Sequence, residues 1–529
     1  MSVPAWIVRA SWVAVAVSLV TFALTITHVP VPWFDENNLA SAAWSVARGG
    51  SGVPTMFAPG LAFTPFPRVY GPVFFRLAAW SIGVFGIGLF AIRIVSLAGA
   101  VMAIGTAAWL TRALGAPSGW PAVVAALLAL SPELGTIATS GRMDALAVAL
   151  GLGWLAAIVS ALRATSSKAA AIRALVAAGF MLTGSLTTPR TLPLVLFTFA
   201  SIAPLLLFRR WRVHAAIVAV TCAAVMIAGW TSWTATIGTT PIEWVRWHER
   251  ASQSDGLDRS VPGVPHVFSL DTRNAVTPSI TAVAVLTFAL LVALRRRRVD
   301  GPVAATLVAT LGAAAFYLAF ANRVFASPSY FVIPAFVSVV AASVVPNGVR
   351  HERGLLLAWL VVALIFTTGR VVKDVEIAQT WTFRDPAPLG AFVRQWIPRG
   401  SIVYGYDQYY FYAVETNGST FRIYELKPES LAPVVIGEGF DGARASADPS
   451  GPRRFLLWPA SGPMGPVPGA FTCAVPHVVA TFSTASRAVV GVERLGIFDQ
   501  GMQGLHGYPN TVLYEVPPGC PTDRPEMLQ

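Results

Sequence analysis

Residues 140–163 read SGRMDALAVALGLGWLAAIVSALR. Between Asp144 and Arg163 no side chain carries a charge, and the run is long enough to cross the roughly 30 Å hydrocarbon core of a bilayer as a helix. Its ends differ. One end has a short turn with Arg142 and Asp144, and the other opens into a basic linker holding Arg163, Lys168 and Arg173. Basic linkers between apolar spans stay in the cytoplasm. This stretch therefore predicts a membrane helix that starts outside and ends inside.

The rest of the chain extends that reading. Of 529 residues, 55% are hydrophobic and 12% charged, with mean hydropathy +0.61, whereas a soluble domain carries about 25% charge. Similar apolar blocks lie near 6–26, 71–90, 92–111, 121–139, 170–187, 191–208, 214–236, 276–294, 302–320, 330–346 and 354–369. The basic linkers 163–173, 209–214, 295–298 and 350–353 separate successive pairs of blocks, and all four fall on the inner side together. The first block, with Arg9 before it, is followed by no small-x-small cleavage site and reads as an uncleaved first helix. To keep Arg9 and Arg112 inside and 40–90 outside, the 71–90 block must not cross. Tyr70-Gly71-Pro72 opens it and Arg76 interrupts it, as in a helix lying at the outer interface. The expected fold is an α-helical polytopic membrane protein of about 11 transmembrane helices (residues 1–370), N-terminus cytoplasmic. A C-terminal extracytoplasmic α/β domain (371–529) follows. Outer loops 28–90 and 237–275 share its side of the membrane.

In the C-terminal part, strand-like runs begin at Ser401, Phe421, Arg454 and Val512, and 385–397 reads as a helix before the first of them. Cys222 reads as a small core residue, while Cys473 and Cys520 lie where a disulfide is permitted. The net charge of +12 sits in tight clusters between apolar blocks, which argues against nucleic acid as a partner.

Carboxylates are scarce, so those at membrane boundaries stand out. Asp35 and Glu36 follow the first helix at its outer end, and Asp144 sits on the second outer turn. Each also reads as a helix cap. His248 and Glu249, in a tryptophan-rich stretch, read as part of an interfacial amphipathic segment, since adjacent residues diverge on a helix.

The ordered set of motifs resembles the GT-C glycosyltransferases, particularly bacterial relatives of protein O-mannosyltransferases and of the aminoarabinose transferase of lipid A. It comprises Asp35-Glu36, Tyr70-Gly71-Pro72, Ile92-Arg93-Ile94-Val95-Ser96, Ser131-Pro132, Arg142-Met143-Asp144, Leu182-Thr183-Gly184 and Thr187-Thr188-Pro189-Arg190. Roughly the first 200 residues carry the resemblance. Those relatives often have Thr-Lys at the last position, where this chain offers Arg190. The resemblance implies an inverting transferase, taking a sugar from a polyprenyl-phosphate donor to a glycan, lipid or protein acceptor on the outer face. In that chemistry a carboxylate serves as general base to the acceptor hydroxyl, for which Asp35 is the candidate. Glu36 and Asp144 would hold a divalent cation such as Mg²⁺ or Mn²⁺, or orient groups by hydrogen bonds. Arg142, then Arg68, Arg190 and Arg323, with Tyr70, would contact the donor phosphate. A transporter or flippase of a lipid-linked glycan is the alternative. Abundant alanine, with lysine scarce beside arginine, hints at a GC-rich bacterium and hence its inner membrane.

Overall fold

The computed structural model describes residues 3–29, 32, 34–56, 65–246, 287, 300–320, 329–344, 353–405, 409–412, 418–426, 433–436, 452–460, 467, 474–483 and 510–517. Its helices are α1 (Ala5–Thr25), α2 (Phe34–Ala47), α3 (Phe66–Tyr70), α4 (Pro72–Phe85), α5 (Leu89–Ala113), α6 (Trp120–Leu130), α7 (Pro132–Thr139), α8 (Asp144–Leu162) and α9 (Ser167–Ser185). They continue with α10 (Leu192–Ile202), α11 (Arg212–Thr236), α12 (Gly301–Phe320), α13 (Ser329–Ser343), α14 (Arg353–Arg384) and α15 (Ala387–Trp396).

Among the described residues five helical segments are long and apolar enough to cross a membrane, or six if a bent pair is one span. Each is apolar around its whole circumference, so burial rather than sequence separates central helices from peripheral ones. The stretch quoted first, α8, is 94% enclosed by protein, against 22% for α1 and 28% for α11. It is the hub of the bundle. Small residues on α5 (Ser96, Gly99, Ala100, Ala103 and Ala107, all buried) let α5 lie close against it. A side chain at Gly99 would run into the α8 backbone at Ala145 and Leu146.

The 121–139 block is two helices bent by 66°. Ser131 takes an extended conformation (φ −64°, ψ 133°) and caps α7 by accepting the Leu134 N–H at 3.2 Å. The cause is Pro132, which disfavours helical geometry in the residue before it. The 71–90 block contains α4, which ends at Gly86, too short to span. Phe74, Phe75, Ala78 and Ile82 are buried, while Leu77, Trp80, Val84 and Phe85 stay exposed.

Above the bundle, α2 and α4 share one apolar cluster with the C-terminal domain. Leu39, Phe74, Phe75 and Met143 meet Phe392, Tyr409, Tyr410, Phe411 and Phe455 there. That domain is a six-stranded sheet of order β3-β2-β1-β4-β6-β5, formed by β1 (Ile402–Gly405), β2 (Thr420–Leu426), β3 (Pro433–Ile436), β4 (Arg454–Pro459), β5 (Val478–Phe482) and β6 (Thr511–Val516). β1 runs parallel to β2 and β4, with Val403 opposite Phe421 and Phe455, and the remaining pairs are antiparallel. Phe455, Leu456, Leu457 and Trp458 are buried without alternation, as expected of a strand covered on both faces. The helix α14 continues past residue 371 to Arg384, so the expected boundary between the two parts of the chain falls inside a helix.

Candidate functional site

The starts of α2, α8 and α13, the first turns of α5 and the segment after α9 meet at one end of the bundle. At the start of α2, Glu36 is buried and takes two hydrogen bonds from Arg93 of α5, Nε to Oε1 at 2.6 Å and Nη2 to Oε2 at 2.7 Å. Arg93 also donates from Nη1 to the Ile26 carbonyl just past α1, at 2.8 Å. Glu36 Oε1 accepts the Gly141 N–H at 2.8 Å. A side chain at position 141 would collide with Ile92 and Glu36, so only glycine fits between them. This planar two-pronged pairing satisfies both charges at once. Glu36 thus anchors the 141–144 turn through its hydrogen bonds.

The turn itself is held by α5. Ser96 Oγ donates to the Arg142 carbonyl at 2.6 Å and accepts the Arg142 N–H at 3.1 Å. Arg142 then reaches Asp144, Nε to Oδ2 at 2.8 Å, with only 6% and 1% of the two side chains exposed. The other Asp144 oxygen, Oδ1, is buried, with no partner of hydrogen-bond geometry among the described residues. Asp144 is the first residue of α8 but caps nothing with its side chain.

Two further side chains close the cluster. Arg190 follows Thr188, which caps a single 3-10 turn at Pro189–Thr191, and its guanidinium lies 6.0 Å from the centre of the Tyr70 ring. Tyr330, near the start of α13, is buried, and its hydroxyl lies in the field of Asp144, Arg190 and Arg142. Tyr70 is brought in by Gly71, whose φ of +98° suits glycine and whose α-carbon sits against the Leu186 carbonyl. Leu186 also accepts the Val73 N–H at 3.2 Å.

Of the residues expected from sequence, Arg142, Asp144, Arg190 and Tyr70 come together, with Glu36 behind them. Arg68 does different work. It donates to the Ile237 carbonyl at 2.8 Å while its own carbonyl accepts the Trp244 indole N–H at 2.6 Å, and Trp244 packs edge-on against Trp230 and Trp233. Arg323, His248, Glu249, Cys473, Cys520 and the side chain of Asp35 lie outside the described residues. The backbone of Asp35 is the second residue of α2, next to Glu36. Sequence reading missed Tyr330, because a tyrosine opening an apolar block reads as an interfacial aromatic. It also missed Glu133, a buried carboxylate in the first turn of α7.

For a divalent cation the fit is poor at one of the two expected ligands. Both Glu36 oxygens are engaged, leaving Asp144 Oδ1 as the single open carboxylate oxygen of the pair. Among the described residues no group of three or more His, Cys, Asp or Glu is placed to hold a metal ion.

No protein-family model matches the chain, and no curated protein matches it in sequence. Solved structures do. ArnT from Cupriavidus metallidurans bound to undecaprenyl phosphate aligns with TM-score 0.56 and 13% identity, covering 95% of this chain and 97% of that one. The apo state of the same protein gives TM-score 0.54 and 13% identity, over 98% and 100%. The Archaeoglobus fulgidus oligosaccharyltransferase in complex with Zn and sulfate gives 0.39 and 11%, over 84% and 68%. Over the described residues this chain has a fold similar to that of ArnT.

Proposed function

We propose that the protein is an inverting glycosyltransferase that moves a sugar from a polyprenyl-phosphate donor to an acceptor on the outer face of a bacterial inner membrane. The observation that carries this reading is the buried Arg142–Asp144–Arg190–Tyr330 cluster, in which one Asp144 oxygen has no partner of hydrogen-bond geometry among the described residues. Two guanidinium groups beside a phenol suit a phosphate at the membrane boundary. The fold supports it too, since ArnT was solved with undecaprenyl phosphate. The proposed topology has eleven crossings, with the N-terminus cytoplasmic and the sheet outside.

In the proposed reaction an acceptor hydroxyl attacks the anomeric carbon from the face opposite the phosphate. Its proton passes to a carboxylate, Asp35 or the open oxygen of Asp144. The bond from the anomeric carbon to the phosphate oxygen breaks, and its electron pair leaves with the lipid phosphate. Arg142 and Arg190 stabilise the charge that grows on that phosphate, and the Tyr330 hydroxyl donates to one of its oxygens.

Transfer of radiolabelled sugar from polyprenyl-phosphate donors in membranes tests the reading, with wild type compared against Asp35→Asn and Asp144→Asn at equal protein level. The expected result is transfer by wild type and its loss in at least one variant. Movement of a lipid-linked glycan across the bilayer with no transfer to any acceptor would replace the enzyme with a flippase.

A further inference from the structure

The buried hydroxyls of this bundle mostly bond back to their own helix. Thr106 turns to the Met102 carbonyl, Thr111 to Ala107, Ser160 to Ala156 and Thr198 to Leu194. That is the habitual arrangement of Ser and Thr in membrane helices. Ser96 breaks the pattern. Its hydroxyl leaves α5 altogether and brackets one residue of another segment, donating to the Arg142 carbonyl at 2.6 Å and accepting the Arg142 N–H at 3.1 Å.

A small residue is all that close packing of α5 on α8 requires at this depth, and alanine serves at positions 100, 103 and 107. The hydroxyl at 96 therefore has another task. Fixing both polar groups of the Arg142 backbone fixes the direction in which its side chain leaves the chain. The guanidinium donates from Nε to Asp144 Oδ2, and the backbone from which it departs is held by Ser96. One helical turn before Ser96, Arg93 secures the preceding residue, Gly141, through Glu36. The i, i+3 spacing puts both on one face of α5, so a single helix face sets the whole turn.

We infer that Ser96 is a positioning residue for the donor phosphate: it sets the Arg142 guanidinium at the distance from Asp144 that phosphate binding requires, and acts on the lipid only through Arg142. This rests on the phosphate role proposed for Arg142.

Binding of undecaprenyl phosphate to the purified full-length protein in nanodiscs tests it, with undecaprenol, which lacks the phosphate, as the control probe. Arg142→Ala is expected to weaken undecaprenyl phosphate binding roughly 10- to 100-fold, as for loss of a charged hydrogen-bond donor. Ser96→Ala is expected to weaken it about tenfold, with undecaprenol binding unchanged, measured at a temperature well below the melting point of either protein. In the Ser96→Ala/Arg142→Ala double variant, the serine substitution adds nothing further, because it has no arginine left to place. Ser96→Cys, close in size but a weak donor, is expected to fall between wild type and alanine, and it keeps the test open if the alanine variant does not fold. Equal weakening by Ser96→Ala with and without Arg142 would overturn the inference, as would unchanged binding in Ser96→Ala when Arg142→Ala binds poorly. If Arg142→Ala itself binds normally, the phosphate reading of Arg142 fails first and the role of Ser96 falls with it.

Discussion

Arg93 grips Glu36 with two parallel hydrogen bonds, 2.6 and 2.7 Å long, and neither side chain has any exposed surface. The pair joins α5 to the start of α2 and, through the Gly141 N–H, to the turn that carries Arg142 and Asp144. Removing one member leaves the other charged and buried, which costs about 3–5 kcal/mol. Glu36→Gln and Arg93→Met are each expected to lower stability by that order, and the double variant by less than their sum. Thermal unfolding in nanodiscs of the four proteins checks this. Strict additivity would mean that the two charges do not depend on one another.

Gly141 separates Ile92 from Glu36 with no room for a methyl group. Gly141→Ala is expected to push the turn away from α2 and so abolish the Glu36–Gly141 hydrogen bond. Transfer should fall by more than tenfold while the protein still inserts and folds, because the α5–α8 contact is untouched. Activity near wild type would show that the turn tolerates displacement.

Arg190 and Tyr330 approach Asp144 from segments far apart in sequence. Under the proposed reaction Arg190→Ala should lower turnover by about 10²–10³, the usual loss for one pre-placed donor to a developing charge. Arg190→Lys should recover part of it, since lysine supplies the charge without the planar fork. Tyr330→Phe should cost less than Arg190→Ala. Initial rates at saturating acceptor separate these three outcomes.

Chelation gives an independent check. With both Glu36 oxygens held by Arg93 and Gly141, the arginines are the main source of positive charge in the described site. Transfer in membranes washed with EDTA is expected to persist at half the untreated rate or more. Complete loss, restored by Mg²⁺ or Mn²⁺, would assign the open Asp144 oxygen to a metal.

His28, just beyond α1, stacks on Trp381 of α14 with ring centres 3.8 Å apart. Partial burial holds its pKa below the ordinary 6.5, with the nearby Asp385 opposing and Arg93 reinforcing that shift. The folded protein thus takes up this proton less readily than the unfolded chain. The stabilising effect is complete above about pH 6.5 and is lost as the pH falls through and below that value. The melting temperature of wild type should therefore drop between pH 7 and pH 5 more than that of His28→Gln. Parallel pH profiles for the two proteins would remove His28 from the account.

Much of this was legible in the sequence. The helical bundle of apolar segments and the sheet-containing C-terminal part follow from hydropathy and strand patterning, and the described residues agree with them. Four of the six strands appear as apolar runs. Pro433–Ile436 and Val478–Phe482 do not stand out, because both are short edge strands whose pairing is tertiary. Ser131-Pro132 is visible as a motif, yet the 66° bend it produces depends on how α7 packs. The partner of Glu36 was not legible, because the buried arginine that pairs with it, Arg93, lies 57 positions away and only the fold brings the two together. Tyr330 was missed because its neighbours in space are all remote in sequence.

The unbroken run of α14 has a mechanical consequence. Its 32 residues make a rod about 48 Å long. The stacking of His28 on Trp381 and the hydrogen bond from Lys373 to Thr136 brace that rod near the end of α1 and against α7. A push on its far end is therefore passed to the bundle as a whole, because a continuous helix tied at two points turns as a lever and does not fold up like a hinge.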